Sequence, residues 1–304
     1  MRDNLTVSSS PHIHSGITAQ SIMLDVIIAL LPAAVFGTFI FGWRAAVLIL
    51  VCVATAVLCE FLWNKALKKE NSLGDLTAVV TGLLLALNLP SSLPFWMAAL
   101  GSAVAIIIVK QMFGGVGHNF ANPAITARIV LMVSFPAAMT RFFEPFSETI
   151  SSATPLATGA QYSIKELFFG VHAGSIGETS VVMLILGGLY LIMRRVISPI
   201  IPVSFIGTVL VFSLILGVNP IAAIFSGGLL LGAIFMATDY VTSPTFNWGK
   251  LIFGVGCGII TVVIRQFASL PEGVSYSILV MNLLVPHINK LTTPKPFGWE
   301  ADKK

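Results

Sequence analysis

Residues 21–41 read SIMLDVIIALLPAAVFGTFIF, and this stretch decides the fold class. It contains a single charged side chain, Asp25, and it is long enough to cross the ~30 Å hydrocarbon core of a bilayer as one helix. Similar apolar stretches recur along the whole chain. They predict about ten transmembrane helices, at residues 21–41, 45–63, 76–90, 95–112, 121–137, 179–194, 199–216, 219–237, 250–267 and 273–291. We therefore expect an all-α integral membrane protein.

The composition agrees with this fold class. Of 304 residues, 56% are hydrophobic and 10% are charged, whereas soluble domains carry roughly 25% charged residues. The pI near 9.1 is also found in nucleic-acid-binding proteins, but the basic residues here form no patch interleaved with aromatic side chains. Neither the cysteines nor the histidines have the spacing of metal ligands. We expect no sizeable soluble domain, no nucleic-acid partner and no metal site.

The charges between the spans predict the orientation. With the N-terminus in the cytoplasm, most Lys and Arg residues, including Lys110, fall on the cytoplasmic side, as the positive-inside rule requires. Segments 1–20 and 292–304 are then cytoplasmic, and the long loop at 138–178 is extracytoplasmic. We expect a multi-pass protein of the cell inner (plasma) membrane.

The two halves of the chain resemble each other. TGLLL at 81–85 leads to SLPFW at 92–96, and GGLLL at 227–231 leads to TSP at 242–244. Five spans in each half place the repeats, 21–137 and 179–291, in opposite orientations. Helices broken at proline-bounded segments are expected to line a cavity or lie buried in protein. Chance similarity between leucine-rich segments is the alternative to an inverted repeat.

The loop between the halves contains a segment with potential chemistry. Residues 148–157 read ETISSATPLA. Thr154 precedes a proline, which favours extended backbone, and its neighbours Ser152 and Ala153 are too small to cover the hydroxyl group. A hydroxyl presented in this way is accessible to a modifying enzyme. The alternative is an ordinary Ser/Thr-rich loop between two helices.

This segment resembles the flavinylation motif D-x-x-S/T-G-A-T of the Rnf complex D subunit and of the related B subunit of the sodium-pumping NADH:quinone reductase. In those families a transferase moves FMN from FAD onto the last threonine as a phosphoester. The resemblance makes Thr154 the attachment site for FMN, with Ser151 and Ala153 at matching positions. Glu148 stands where Asp is usual, and Ser152 replaces the more common Gly.

Further segments resemble the same families, in order, from about residue 20 to 298. The Rnf family is the closer of the two, because the long N-terminal extension typical of the quinone reductase protein is missing. The matching segments read GGVGHN at 114–119, NPA at 122–124, GSIGETS at 174–180, FMATDYVTSP at 235–244 and PEGV at 271–274.

The resemblance implies a flavin-carrying membrane subunit of a redox-driven translocase of the ferredoxin:NAD⁺ oxidoreductase type. It implies that electrons are relayed through the covalent FMN and through a second, non-covalent flavin (riboflavin or a second FMN), coupled to Na⁺ or H⁺ movement. The expected partners are other membrane and flavoprotein subunits of the same complex, and a flavin transferase for maturation. No independent catalytic site is expected on this chain. A passive channel or carrier for a small polar solute is the competing function, since broken helices in an inverted repeat also suit it.

Several polar residues near the predicted breaks are candidates for cofactor binding. Arg128 lies within a span, where a charge is costly and usually functional. It could anchor a flavin phosphate or a carboxylate at the repeat interface, or cap the carbonyl groups of a broken helix. Asp239, among the hydroxyls of Thr242 and Ser243, could bind a cation, contact a flavin ring or cap a turn. Asn122 opens the NPA segment and is a further candidate.

Overall fold

The computed structural model describes residues 18–69, 72–147, 150–151, 163–268 and 273–294, and this part of the chain is mainly helical. A short two-stranded antiparallel sheet pairs β1 (Phe142–Phe143) with β2 (Ile150–Ser151). The helices within the described ranges are α1 (Ala19–Phe41), α2 (Trp43–Ala66), α3 (Thr77–Leu87), α4 (Phe95–Ala103), α5 (Pro123–Ser134), α6 (Pro136–Met139), α7 (Ile164–Phe169), α8 (Val181–Met193), α9 (Ile200–Ile215), α10 (Pro220–Phe225), α11 (Leu229–Leu231), α12 (Asn247–Phe267) and α13 (Gly273–Thr292).

Two helices continue as π-helix. Val104–Gln111 extends α4, and Gly232–Met236 extends α11. By length and apolar composition, α1, α2 and α12 can each cross a membrane, and several shorter apolar helices accompany them. Each of the ten stretches predicted as spans contains helix. The prediction of an all-helical membrane protein is confirmed, while the number of crossings and the inverted orientation of the halves stay predictions.

The helices of each half pack mainly on one another. In the first half α2 packs against α3 and α4, and in the second half α12 packs against α9 and α13. The halves meet where α1 contacts α8 and where α5 contacts α13. The α1–α8 contact is close, because Gly187 of α8 faces the carbonyl group of Ala29 in α1. Small residues allow this approach of two backbones, as is usual between helices in membranes.

The backbone between α3 and α4 is not helical, yet it is buried. Asn88, Ser91 and Leu93 are all nearly inaccessible to solvent. Backbone groups freed at such depth must find partners within the protein. The carbonyl oxygens of Leu87 and Leu89 accept hydrogen bonds from the N–H groups of Gly177 (2.8 Å) and Ile176 (3.1 Å). The segment before α8 therefore completes the end of α3.

Gly187→Ala is expected to lower stability by about 1–3 kcal/mol, the usual cost of overpacking a core. The added methyl group would overlap the Ala29 carbonyl oxygen and approach the Phe235 ring to 3.0 Å, so α1 and α8 would have to separate. Thermal unfolding of the full chain in detergent measures the loss. The control is Gly207→Ala on α9, where an added methyl group meets no atom within 4 Å. Equal melting temperatures for the two variants would contradict the close α1–α8 contact.

Candidate functional site

A buried network of polar groups joins the two halves at Arg128. The guanidinium of Arg128 in α5 is 3% exposed. Its Nη1 donates to Asn88 Oδ1 (3.2 Å) and to Ser275 Oγ (2.9 Å), and its Nη2 pairs with Glu178 Oε1 (3.1 Å). Asn88 follows α3, Ser275 belongs to α13 and Glu178 precedes α8. One side chain thus connects four separate parts of the fold.

The partners of Arg128 bear on both interpretations of this residue. The carboxylate that it contacts is Glu178, which lies between the halves. The amide of Asn88, which accepts from Arg128, also donates to the Leu84 carbonyl oxygen in the last turn of α3 (2.7 Å). Arg128 therefore supports the end of a broken helix through Asn88. A direct contact with a flavin phosphate stays a prediction.

Asn122 connects the break in the second half to the first half. Its Oδ1 accepts from the Ala124 N–H (3.0 Å) and so caps α5, which Pro123 starts with its fixed φ. Its Nδ2 donates to the Met236 carbonyl oxygen at the end of the second π-helix (3.2 Å). With its amide nitrogen turned towards Thr242, Asn282 donates to the Thr242 carbonyl oxygen (3.0 Å) and accepts from the Asn122 N–H (3.1 Å).

Asp239 lies in the irregular segment between the second π-helix and α12. Its Oδ2 accepts from the Thr242 hydroxyl (2.9 Å), and its backbone carbonyl accepts from the Ser243 N–H (3.1 Å). These contacts are those of a capped turn. Ser243 lines a different cavity, beside Tyr240 and Lys250. Cation binding by Asp239 and contact with a flavin ring stay predictions.

A cavity of about 120 Å³ brings Asn122 and Asp239 together, whereas Arg128, Thr242 and Ser243 are not among its lining residues. Its walls come from α1, α3, the Gly-rich loop after the first π-helix and the segment that contains Asp239. Asn119 Oδ1 is buried here without a hydrogen-bond partner in the described part of the chain. The other polar lining residues are Thr77, Thr81, Lys110 and Thr238, and the apolar ones include Val80, Leu84, Leu191 and Phe235.

The predicted flavinylation segment emerges at the other end of α1 from this cavity. Ser151 pairs with Phe142 in the β1–β2 sheet, and the nearby Phe146 N–H donates to the Ile40 carbonyl oxygen (3.1 Å). The cavity contacts α1 at Val26, fourteen residues earlier, about 21 Å along a helix at ~1.5 Å per residue. Glu148, Ser152, Ala153 and Thr154 lie outside the described residues.

Two charged residues that line or adjoin the cavity are missing from the predicted site residues. The positive-inside rule counts Lys110 among the cytoplasmic charges, and no pattern singles out Glu60, yet their side chains are 2% and 0% exposed. Lys110 Nζ lies 2.8 Å from Glu60 Oε2. The signal in the sequence is their position inside the apolar stretches 45–63 and 95–112, where a charge is costly.

These features define a helical membrane protein in which two sets of broken helices meet around buried polar groups. The profile of the NQR2, RnfD, RnfE family matches residues 6–298, and the chain belongs to this family. It is a D-type component of an ion-translocating oxidoreductase complex.

Three relatives, each the D subunit of its complex, illustrate the similarity. The chain is 47% identical over 310 residues to that of the Na(+)-translocating ferredoxin:NAD(+) oxidoreductase complex of Acetobacterium woodii, covering 99% of this chain and 98% of the relative. It is 42% identical to that of the proton-translocating ferredoxin:NAD(+) oxidoreductase complex of Clostridium ljungdahlii, with 96% of both chains covered. It is 37% identical to that of the ion-translocating oxidoreductase complex of Stutzerimonas stutzeri, with 94% of both covered.

Arg128→Met is expected to destabilise the protein by about 3–5 kcal/mol, because it leaves the Glu178 carboxylate buried without its ionic partner. Thermal unfolding of the full chain measures the change. The control is Arg194→Met, which breaks an ion pair to Asp25 whose arginine side chain is 57% exposed. A much smaller loss is expected there, since solvent screens such a pair. If both variants lose equally little stability, the Arg128 network does not hold the halves together.

Proposed function

We propose that this protein carries FMN covalently on Thr154 and relays electrons within its complex, coupled to the movement of Na⁺ or H⁺. The observation that carries the proposal is the family match over residues 6–298, which includes the ETISSAT segment at 148–154. A phosphoester bond holds a flavin without the Gly-rich phosphate turn at a helix N-terminus that non-covalent dinucleotide sites use. The bound flavin supplies the redox chemistry, and the chain supplies position and electrostatics.

The second, non-covalent flavin is proposed to bind in the cavity beside Asn119 and Asn122. The apolar side chains of Leu84 and Phe235 suit the faces of a flat ring, and the buried, unpartnered Oδ1 of Asn119 suits its polar edge. The volume of about 120 Å³ is below the ~300 Å³ of small ligand pockets. Lining side chains would therefore have to move before a flavin could enter.

The proposed topology places these two sites on opposite sides of the membrane. Ten crossings in two inverted halves, with both termini cytoplasmic, put the 148–154 segment outside and the Gly-rich loop at 114–119 inside. The cavity is lined by Gly117 and Asn119 of that loop. Electrons passing between the two flavins would then cross the membrane. Sites for NAD, ferredoxin and iron–sulfur clusters are assigned to partner subunits, and attachment of FMN is assigned to a separate transferase.

The ion that is moved is Na⁺ or H⁺ on this proposal, since the relatives from Acetobacterium woodii and Clostridium ljungdahlii are named for one and the other. A passive channel or carrier is the competing function, because broken helices around a cavity also suit a small polar solute. A covalent flavin separates the two functions.

Thr154→Val is expected to abolish covalent flavin, because valine has the shape of threonine without the hydroxyl that forms the phosphoester. The chain, co-expressed with its transferase, is run on a denaturing gel and its ultraviolet fluorescence is compared with the wild type. The matched control is Thr158→Val, four residues further along the same segment, which should keep full fluorescence. Fluorescence in the Thr154 variant would place the attachment elsewhere, and a colourless wild type would favour the channel or carrier.

Asn119→Ala is expected to reduce the non-covalent flavin severalfold and to leave the covalent FMN unchanged. It removes a polar group that lines the cavity, whereas His118→Ala, the control in the same loop, changes a residue outside the lining. Flavin released by acid precipitation, measured per chain against protein-bound flavin, reports both pools. Equal release from both variants would remove this cavity as the second flavin site.

A further inference from the structure

Glu60 and Lys110 form a buried ion pair at the edge of the cavity. Lys110 Nζ lies 2.8 Å from Glu60 Oε2 and donates to Thr77 Oγ1 over 2.6 Å. The third N–H of the ammonium has no hydrogen-bond partner among the described residues, and Lys110 and Thr77 both line the cavity. A buried pair of this kind is weak evidence for stability, because desolvation offsets its Coulomb energy.

The groups around the ammonium are held as acceptors. Glu60 Oε1 accepts from the Ser72 hydroxyl (2.6 Å), which itself accepts from Asn64 Nδ2 (3.0 Å). The Thr77 hydroxyl donates its hydrogen to Asp75 Oδ1 (2.8 Å). Glu60 Oε2 and Thr77 Oγ1 therefore present lone pairs to one point, now occupied by the Lys110 nitrogen. Both groups that contact the ammonium among the described residues are acceptor oxygens.

We propose that Glu60 and Thr77 form a binding site for a small monovalent cation, Na⁺, which exchanges with the tethered ammonium of Lys110. Carboxylate and hydroxyl oxygens are hard ligands that suit such a cation. Water from the adjoining cavity completes its coordination. When Na⁺ occupies the site, the flexible lysine side chain carries its ammonium into the cavity that it lines. Binding of the ion thus moves a positive charge towards the cavity, where the proposed function places a flavin.

Lys110→Met tests the site by removing the tethered competitor. A ligand that binds only the folded state raises stability with its concentration. The melting temperature of this variant, measured on the full chain, is expected to rise by several degrees and to saturate as NaCl replaces choline chloride at constant ionic strength. The rise should disappear in the double variant Glu60→Gln/Lys110→Met. Arg128→Met, which orphans Glu178 away from this cavity, should show no response specific to Na⁺.

A response to Na⁺ in none of the variants, or an equal response in all of them, overturns the proposal. If Lys110→Met does not fold, the wild-type chain still decides the matter. Reductive methylation with formaldehyde, mapped by peptide mass spectrometry, should modify Lys110 severalfold more in NaCl than in choline chloride, because the ammonium leaves its buried pair. The exposed Lys65 is the internal control and should not change. Equal modification of Lys110 in the two salts overturns the exchange. Neither measurement requires a bound flavin, so both can fail independently of the proposed function.

Discussion

The structure depends on one constraint, that backbone groups freed where a helix breaks inside the core must find partners within the protein. The break after α3 receives N–H donors from Ile176 and Gly177, which lie just before the second half. The break after the second π-helix receives the side-chain amide of Asn122, from the first half. Each half therefore completes the other, and neither half has a satisfied backbone when it is considered alone.

This mutual completion changes how the polar residues are interpreted. Arg128 and Asn122 have the features of ligand-binding residues, being polar and buried among apolar helices. In the structure their hydrogen-bonding groups contact Asn88, Glu178 and the backbone of the opposite half. Any role in flavin binding is added to an architectural one, so loss of function in their variants must first be separated from loss of folding. Asn119 has a polar atom without such a partner in the described part of the chain and is the cleaner probe of the cavity.

The sequence allowed the helices and their breaks to be predicted, because apolar length and proline position are local properties. Pairing between distant residues could not be predicted in this way. Glu60 and Lys110 are fifty residues apart, as are Arg128 and Glu178, and spacing does not reveal which helix faces meet. The π-helix at Val104–Gln111 adds a further difficulty, since it changes the direction in which later side chains point. Lys110 lies in it, so a count of charges places this residue at the cytoplasmic surface instead of in the core.

The two buried ion pairs also limit what the protein can do electrically. Glu60 balances Lys110 and Arg128 balances Glu178, so each cluster is close to neutral in a region where an isolated charge would be very costly. On the proposed function, each electron that reaches the cavity adds a negative charge to this region. A positive charge must then approach, and Lys110 is a cation at the cavity edge that could supply it. Its movement would leave Glu60 unpaired unless another cation took its place. Electron arrival and cation binding would therefore favour each other through one lysine side chain.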